Sequence, residues 1–167
     1  DKEDLQQILE VGLRVPDHGK IGPWRIQVIT PKGQKTLGDL AAKIFTNKYG
    51  ERATEKQIEA ERQRPQRAPV LLIVTSDIQS QHKIPELEQR LSGGAVCMNI
   101  LNAAHALGYS AQWVTEWLSF DTEIKAALGH QDQTDIIGMI YIGTAVEPPQ
   151  PRTRPHLDEI VSEWSGP

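Results

Sequence analysis

The residues best suited to chemistry lie in LRVPDHGKIGPWRIQVI, Leu13 to Ile29, which places Arg14, His18 and Lys20 in one short segment bounded by Pro16 and by the pair Pro23 and Trp24. Three potential cations on one loop suit an anion or an electron-rich ring, because a fixed positive charge favours a group that gains negative charge on reduction. A solvated basic loop has the same composition, so the segment alone leaves both readings open. Other chemistries lack their anchors. The glycines at 93, 94, 108 and 129 fit neither GxGxxG nor GxxxxGKS, and GxSxG is absent. The sole cysteine, Cys97, sits within an apolar helical pattern rather than at a helix N-terminus, and reads as an inert core thiol. No two of His18, His82, His105, His130 and His156 have HExxH or i, i+4 spacing. Asp17 and His18, with His82 and Glu86, could supply a metal set or an acid–base pair for a hydrolase, although chain neighbours point apart. His105, within AAHAL, reads as a helix-packing histidine.

These residues need elements to hold them. Leu5, Ile8, Leu9, Gly12 and Leu13 recur at helical spacing, which predicts a helix over 2–14 that stops before Pro16. WRIQVIT (24–30) alternates as a half-buried strand. Residues 32–49 and 54–64 form polar helical stretches with sparse apolar positions, read as surface helices, a lid or a partner-facing excursion. APVLLIVTS (68–76) and DIIGMIYIG (135–143) are core strands, with a shorter strand at 109–114. Between them, residues 86–107 carry Leu87, Leu91, Ala95, Met98, Leu101 and Ala104 at three- and four-residue steps. The Gly and Ala there permit close approach, so this helix is expected to be covered by a neighbour or a dimer mate. Residues 120–128 predict a helix stopped by Gly129, and 156–164 a short final helix after the extended arm EPPQPRTRP. This order of elements reads as a mixed sheet sandwiched by helices.

Composition narrows the class further. The 167 residues carry 18 Lys plus Arg against 22 Asp plus Glu, a net charge of −4, which argues against a generic nucleic-acid binder. One chain of this length makes one domain. A single cysteine excludes an intramolecular disulfide and fits a cytoplasmic setting, and no apolar run approaches the ~20 residues that span a bilayer. The opening DKEDLQQILE, with neither an initiator Met nor an apolar signal core, reads as a cut or processed start.

The Leu13–Ile29 string resembles the flavin-binding loop of the nitroreductase family, in particular its small YdjA-like subgroup, whose members carry a similar Arg, small residue, Pro, Asp, His, then Pro, Trp. The resemblance continues in order through RAPVLLIVTS, HKIPELEQRLSGGAVCMNILNAAHALGYSAQWVT and DIIGMIYIGTA with its Pro- and Arg-rich arm, and so covers most of the chain. It implies an α+β fold, a nitroreductase-like mixed β-sheet sandwiched by helices with a C-terminal arm, in a domain-entwined homodimer with one FMN per subunit at the interface. It also implies two-electron reduction by NADH or NADPH and delivery to nitroaromatics, quinones or similar small electron-poor acceptors, with no metal and no protein nucleophile, since hydride passes directly through the flavin N5. By position, Arg14 and His18 would contact FMN, and Trp113, Val114 and Thr115 would border it. Ala103, Ala104, His105, Ala106, Leu107 and Gly108 would lie near the nicotinamide nucleotide. Gly143 and Thr144, with Arg152 or Arg154, are candidates for the phosphate end, and Pro23 and Trp24 would pack beside the loop. The family's opening helix and its Arg-Arg-Ser phosphate clasp have no counterpart in this chain. The resemblance thus leaves two readings: an FMN-dependent oxidoreductase, or a non-catalytic, flavin-poor dimer of the same fold. The metal-dependent hydrolase is the third.

Overall fold

The computed structural model describes residues 1–166. Helix α1 spans Lys2–Gly12 and is capped by the Asp1 carboxylate, which accepts from the Asp4 amide at 2.8 Å. Strand β1 (Trp24–Ile29) leads into α2 (Pro31–Tyr49), started by Thr30 as N-cap and Pro31 in the first turn, and into α3 (Glu55–Gln63), started by a Thr54–Gln57 capping box. Then follow β2 (Val70–Ser76), α4 (Glu86–Ala106), β3 (Ser110–Val114), α5 (Thr122–Ala127), β4 (Asp135–Gly143) and the single turn α6 (Leu157–Ile160).

The four strands form one sheet in the order β1-β2-β4-β3. Every pairing is antiparallel, so the expectation of a mixed sheet is corrected. The physical reason is that near-continuous apolar runs such as VLLIV report cover on both faces, whatever the direction of the neighbouring strands. On one face Leu71, Ile73, Met139 and Tyr141 pack with Leu37, Ala41 and Ile44 of α2 and Ile124 of α5. On the other, Leu72, Val74, Ile140 and Ile142 pack with Ile8 of α1 and Val96, Cys97, Ile100 and Ala104 of α4. The helix–sheet–helix sandwich read from the sequence is therefore present.

Helix α2 is a core helix, which corrects its reading as a polar surface excursion. Its buried stripe of Leu37, Gly38, Ala41, Ala42 and Ile44 is built largely from small residues, and so looked sparse in sequence. Gly38 admits the backbone of α3: a Cβ there would lie 2.1 Å from the Arg62 carbonyl oxygen. Only Glu61 of α3 is buried. Helix α4 carries apolar residues on its outer side as well as its inner one. Its inner face meets the sheet and α1, with Gly12 against Ile100, while Leu87, Leu91 and Met98 stand exposed, Leu87 and Leu91 at 66% and 64%. Among the described residues no helix is long and apolar enough to cross a membrane. The expected final helix at 156–164 shrinks to α6, and the arm over residues 144–166 is exposed.

Candidate functional site

The loop between α1 and β1 is shaped by left-handed backbone. Gly19, Lys20 and Gly22 have φ of 74°, 55° and 54°, and Lys20 is the one described non-glycine residue with positive φ. Such a turn needs local hydrogen bonds, and Asp17 supplies them. Its carboxylate accepts from the amides of Ile21 at 3.2 Å and Gly22 at 2.9 Å, and its carbonyl accepts from the Lys20 amide at 3.1 Å.

Helix α4 then pins the loop from one flank. Ser92 Oγ donates to the Pro16 carbonyl at 2.6 Å and accepts from Trp24 Nε1 at 3.1 Å. Asn99 Nδ2 donates to the Val11 carbonyl at 2.6 Å, and Glu88 Oε2 lies 2.6 Å from His18 Nδ1. Pro23 is buried and Trp24 half-buried beside the loop, as expected. Sequence reasoning missed Glu88, Ser92 and Asn99, although polar residues four and seven apart, on one face of the helix, were the available signal.

Arg14 and Lys20 are exposed and form no ion pair among the described residues, whereas Arg25, Arg62, Arg64, Arg67 and Arg90 each meet a carboxylate. The hydrolase set does not assemble. Asp17 is committed to amides, His18 to Glu88 and His82 Nδ1 to the Ile84 amide, and among the described residues no three His, Cys, Asp or Glu side chains are grouped to hold a metal ion. Burial pushes the Cys97 thiol up to about 12, as an inert core cysteine requires.

On the other flank of α4 lies Trp113. Its indole Nε1 donates to the Ile137 carbonyl at 2.8 Å, and the ring crosses Gly138, where a Cβ would lie 3.0 Å from Nε1, and reaches toward Gly94, where the distance would be 3.8 Å. Val114 ends the ladder opposite Met139, and the exposed Thr115 follows. A cavity of about 350 Å³ next to Thr115 is lined by Arg90, Ser119, Phe120 and Lys125. At about 100° per residue around α4, the stripe Leu87, Leu91, Met98 runs between the flank that holds the loop and the flank that meets Trp113.

The remaining candidates lie elsewhere. Ala103 and Ala104 are buried in the core, so their side chains face the sheet rather than a ligand. His105, Ala106, Leu107 and Gly108 are exposed at the end of α4, where Gly108, φ 83°, closes the helix. At ~1.5 Å rise per residue, that end is about 25 Å from Glu88. Gly143 pairs with Ser110 at the far end of β3, and Thr144 follows it into the arm. Arg152 and Arg154 are exposed on the arm, with Arg154 Nη1 turned to the carbonyls of Arg152 and Thr153. Along α4, His18 thus lies beside Glu88, Trp113 beside Gly94 and the Arg14 backbone beside Asn99, and one chain does not bring the other candidates to them.

A sandwich of this topology, with a cation-bearing loop clamped to its central helix, has clear relatives. The nitroreductase family model matches residues 1–144, and this chain belongs to the nitroreductase family. It is 32% identical over 142 residues, 85% of its length and 76% of the relative's, to the Escherichia coli (strain K12) protein named "Putative NAD(P)H nitroreductase YdjA". Its fold is similar to that of a nitroreductase-like family protein from Bacillus cereus, with a TM-score of 0.84 and 20% identity, covering 99% of this chain and 86% of that one. It is also similar to a point mutant of the FMN and NADPH-dependent nitroreductase NfnB from sphigopyxis sp. strain HMH, with a TM-score of 0.75 and 21% identity, covering 99% and 90%.

The donor set fits a flavin mononucleotide. Uncommitted cations at Arg14 and Lys20 suit a ligand that carries a phosphate and a ring able to take negative charge. The indole of Trp113, laid across two glycines and partly open to solvent, adds an aromatic surface of matching flatness.

Proposed function

We propose that this chain is one domain of an FMN-dependent NAD(P)H oxidoreductase that works as a homodimer. The observation that carries the proposal is Arg14: a guanidinium without a carboxylate partner among the described residues, on a loop clamped to a helix whose neighbouring stripe is apolar and exposed. A second copy seated on Leu87, Leu91 and Met98 would close the space between the Arg14 loop and Trp113, and would bring its own His105–Gly108 turn and arm arginines within reach of the pair. That arrangement accounts for candidates which lie about 25 Å apart along α4 in a single chain.

In this reading Arg14 and His18 hold the flavin at its electron-rich side, and Trp113, Val114 and Thr115 border the ring. Gly143 and Thr144, with Arg152 or Arg154, take the phosphate end, while residues 103–108 present the helix end and its backbone to the nicotinamide nucleotide. FMN bound there would supply two-electron transfer from NADH or NADPH to nitroaromatics, quinones or similar flat acceptors. Arg14 favours the more negative form of the ring by charge, and Glu88 keeps the His18 ring oriented. Donor and acceptor would use one slot in turn, which gives ping-pong kinetics. The lone, buried cysteine suits a cytoplasmic setting.

The test is the visible spectrum of the purified protein, before and after added FMN, then with NADH or NADPH under anaerobic conditions. Flavin bands that bleach with either nucleotide support the oxidoreductase. A colourless protein that leaves FMN unbound overturns it in favour of a non-catalytic dimer of the same fold.

A further inference from the structure

Beyond Val114 the last strand pairing of β3 is spent, and Thr115 and Glu116 leave the sheet. Strand ends of this kind fray unless other bonds hold them. Here the hold comes from behind, through side chains of α3 and the turn that follows it. Glu61 Oε2 accepts from Trp117 Nε1 at 2.8 Å and from Arg64 Nε at 2.6 Å, and Glu61 Oε1 accepts from Arg64 Nη2 at 2.7 Å. Arg64 Nη1 in turn lies 2.9 Å from Glu116 Oε1. Arg67 Nη2 donates to both Glu116 oxygens, at 2.9 and 2.8 Å, while its Nε donates to the Arg64 carbonyl and its guanidinium sits 4.6 Å over the Tyr141 ring.

Two carboxylates and two guanidiniums cancel in charge, and they are more buried than the other ion pairs: the Glu61 side chain is 9% exposed and Glu116 21%, against 44% for Arg90. A partly buried ion-pair set is a weak source of net stability, because desolvation offsets most of the attraction. What bidentate, charge-assisted bonds supply is geometry. We propose that Glu61, Arg64, Arg67 and Glu116 are positioning residues, which lock the Trp113–Glu116 segment in the setting that binds the flavin ring. The inference rests on the reading that this segment borders FMN. The one buried residue of α3, Glu61, anchors the network at one end, and Arg64 joins it to Glu116.

Arg67→Met and Glu116→Gln test the device, with Arg67→Lys as the conservative variant. Hydrogen exchange of the amides at 113–117 in the whole chain reads the locking without any flavin, and should quicken about tenfold in Arg67→Met and Glu116→Gln. FMN titration and visible circular dichroism read the consequence: an affinity about tenfold weaker and an altered flavin band, both partly restored in Arg67→Lys. Unchanged exchange at 113–117 overturns the locking. Faster exchange with wild-type FMN affinity and an unaltered flavin band overturns the link to the flavin. Wild-type protein that binds no FMN defeats the flavin reading itself, and exchange then still decides whether the network holds the segment. If Glu116→Gln fails to fold, Arg67→Met, which leaves the Arg64–Glu116 contact in place, decides.

Discussion

At the residue scale, the site turns on which charges are already spoken for. Among the described residues Arg14 has no carboxylate partner, so Arg14→Ala should leave thermal stability unchanged while weakening FMN binding ten- to a hundredfold, about 1.5–3 kcal/mol for a lost charge-assisted contact. Quenching of flavin fluorescence on titration measures this, and an unaltered Kd would remove Arg14 from the site. Cys97 makes the opposite case. With its thiol held up to about 12 by burial, it should be silent to a thiol reagent at neutral to mildly alkaline pH and react only on unfolding. Native-state modification at the rate of a free cysteine would contradict its placement. Arg14, His18 and Trp24 were legible because they sit in one contiguous string. Glu88, Ser92 and Asn99 were not, because the bonds that join them to that string cross some seventy residues or more of chain, and their spacing on α4 does not say which segment they meet.

At the element scale, apolar period and capping residues placed every helix and strand to within a few residues, apart from the final helix, which is one turn long. The character of α2 escaped because a stripe of Gly and Ala carries little hydrophobic signal yet allows the closest packing. Gly38→Ala tests that contact. The added methyl would meet the Arg62 backbone oxygen, so the variant should lose about 1–3 kcal/mol through overpacking, seen as a lower thermal midpoint. A wild-type midpoint would show that α3 can shift freely. The same pair of helices should be acid-sensitive through Glu61. Burial opposes the charge on Glu61, but hydrogen bonds from Arg64 and Trp117 outweigh it and hold the carboxyl below the usual range. A depressed folded pKa adds stability above the ordinary carboxylate value, and that stability is lost as pH falls through the folded one. Denaturant melts should therefore lose stability on acidification below the ordinary carboxylate range, and Glu61→Gln should flatten that part of the profile. An identical acid profile in the variant would rule out Glu61 as its source.

At the scale of the whole molecule, the outer stripe of α4 leaves apolar side chains exposed, and so does an arm that carries Leu157, Ile160, Val161 and Trp164. Both suit burial against a second copy. Leu91→Lys should convert a dimer to a monomer in sedimentation velocity and weaken FMN binding with it, while far-ultraviolet circular dichroism stays native. A dimer that survives the substitution would move the interface away from α4. The sheet carries a different consequence. Its central ladder joins Val70 to Ile142, so β2, made of residues with no exposure in the folded protein from Leu71 to Val74, has no inner neighbour until β4 is available. During synthesis β2 can pair only with β1, leaving one long side of an apolar strand open while the whole of α4 and β3 is being made. Loop closure of that length slows folding and leaves a sticky edge exposed in the meantime. The nascent chain is therefore most open to misassociation while that edge is bare, and the period ends when residues 135–143 arrive.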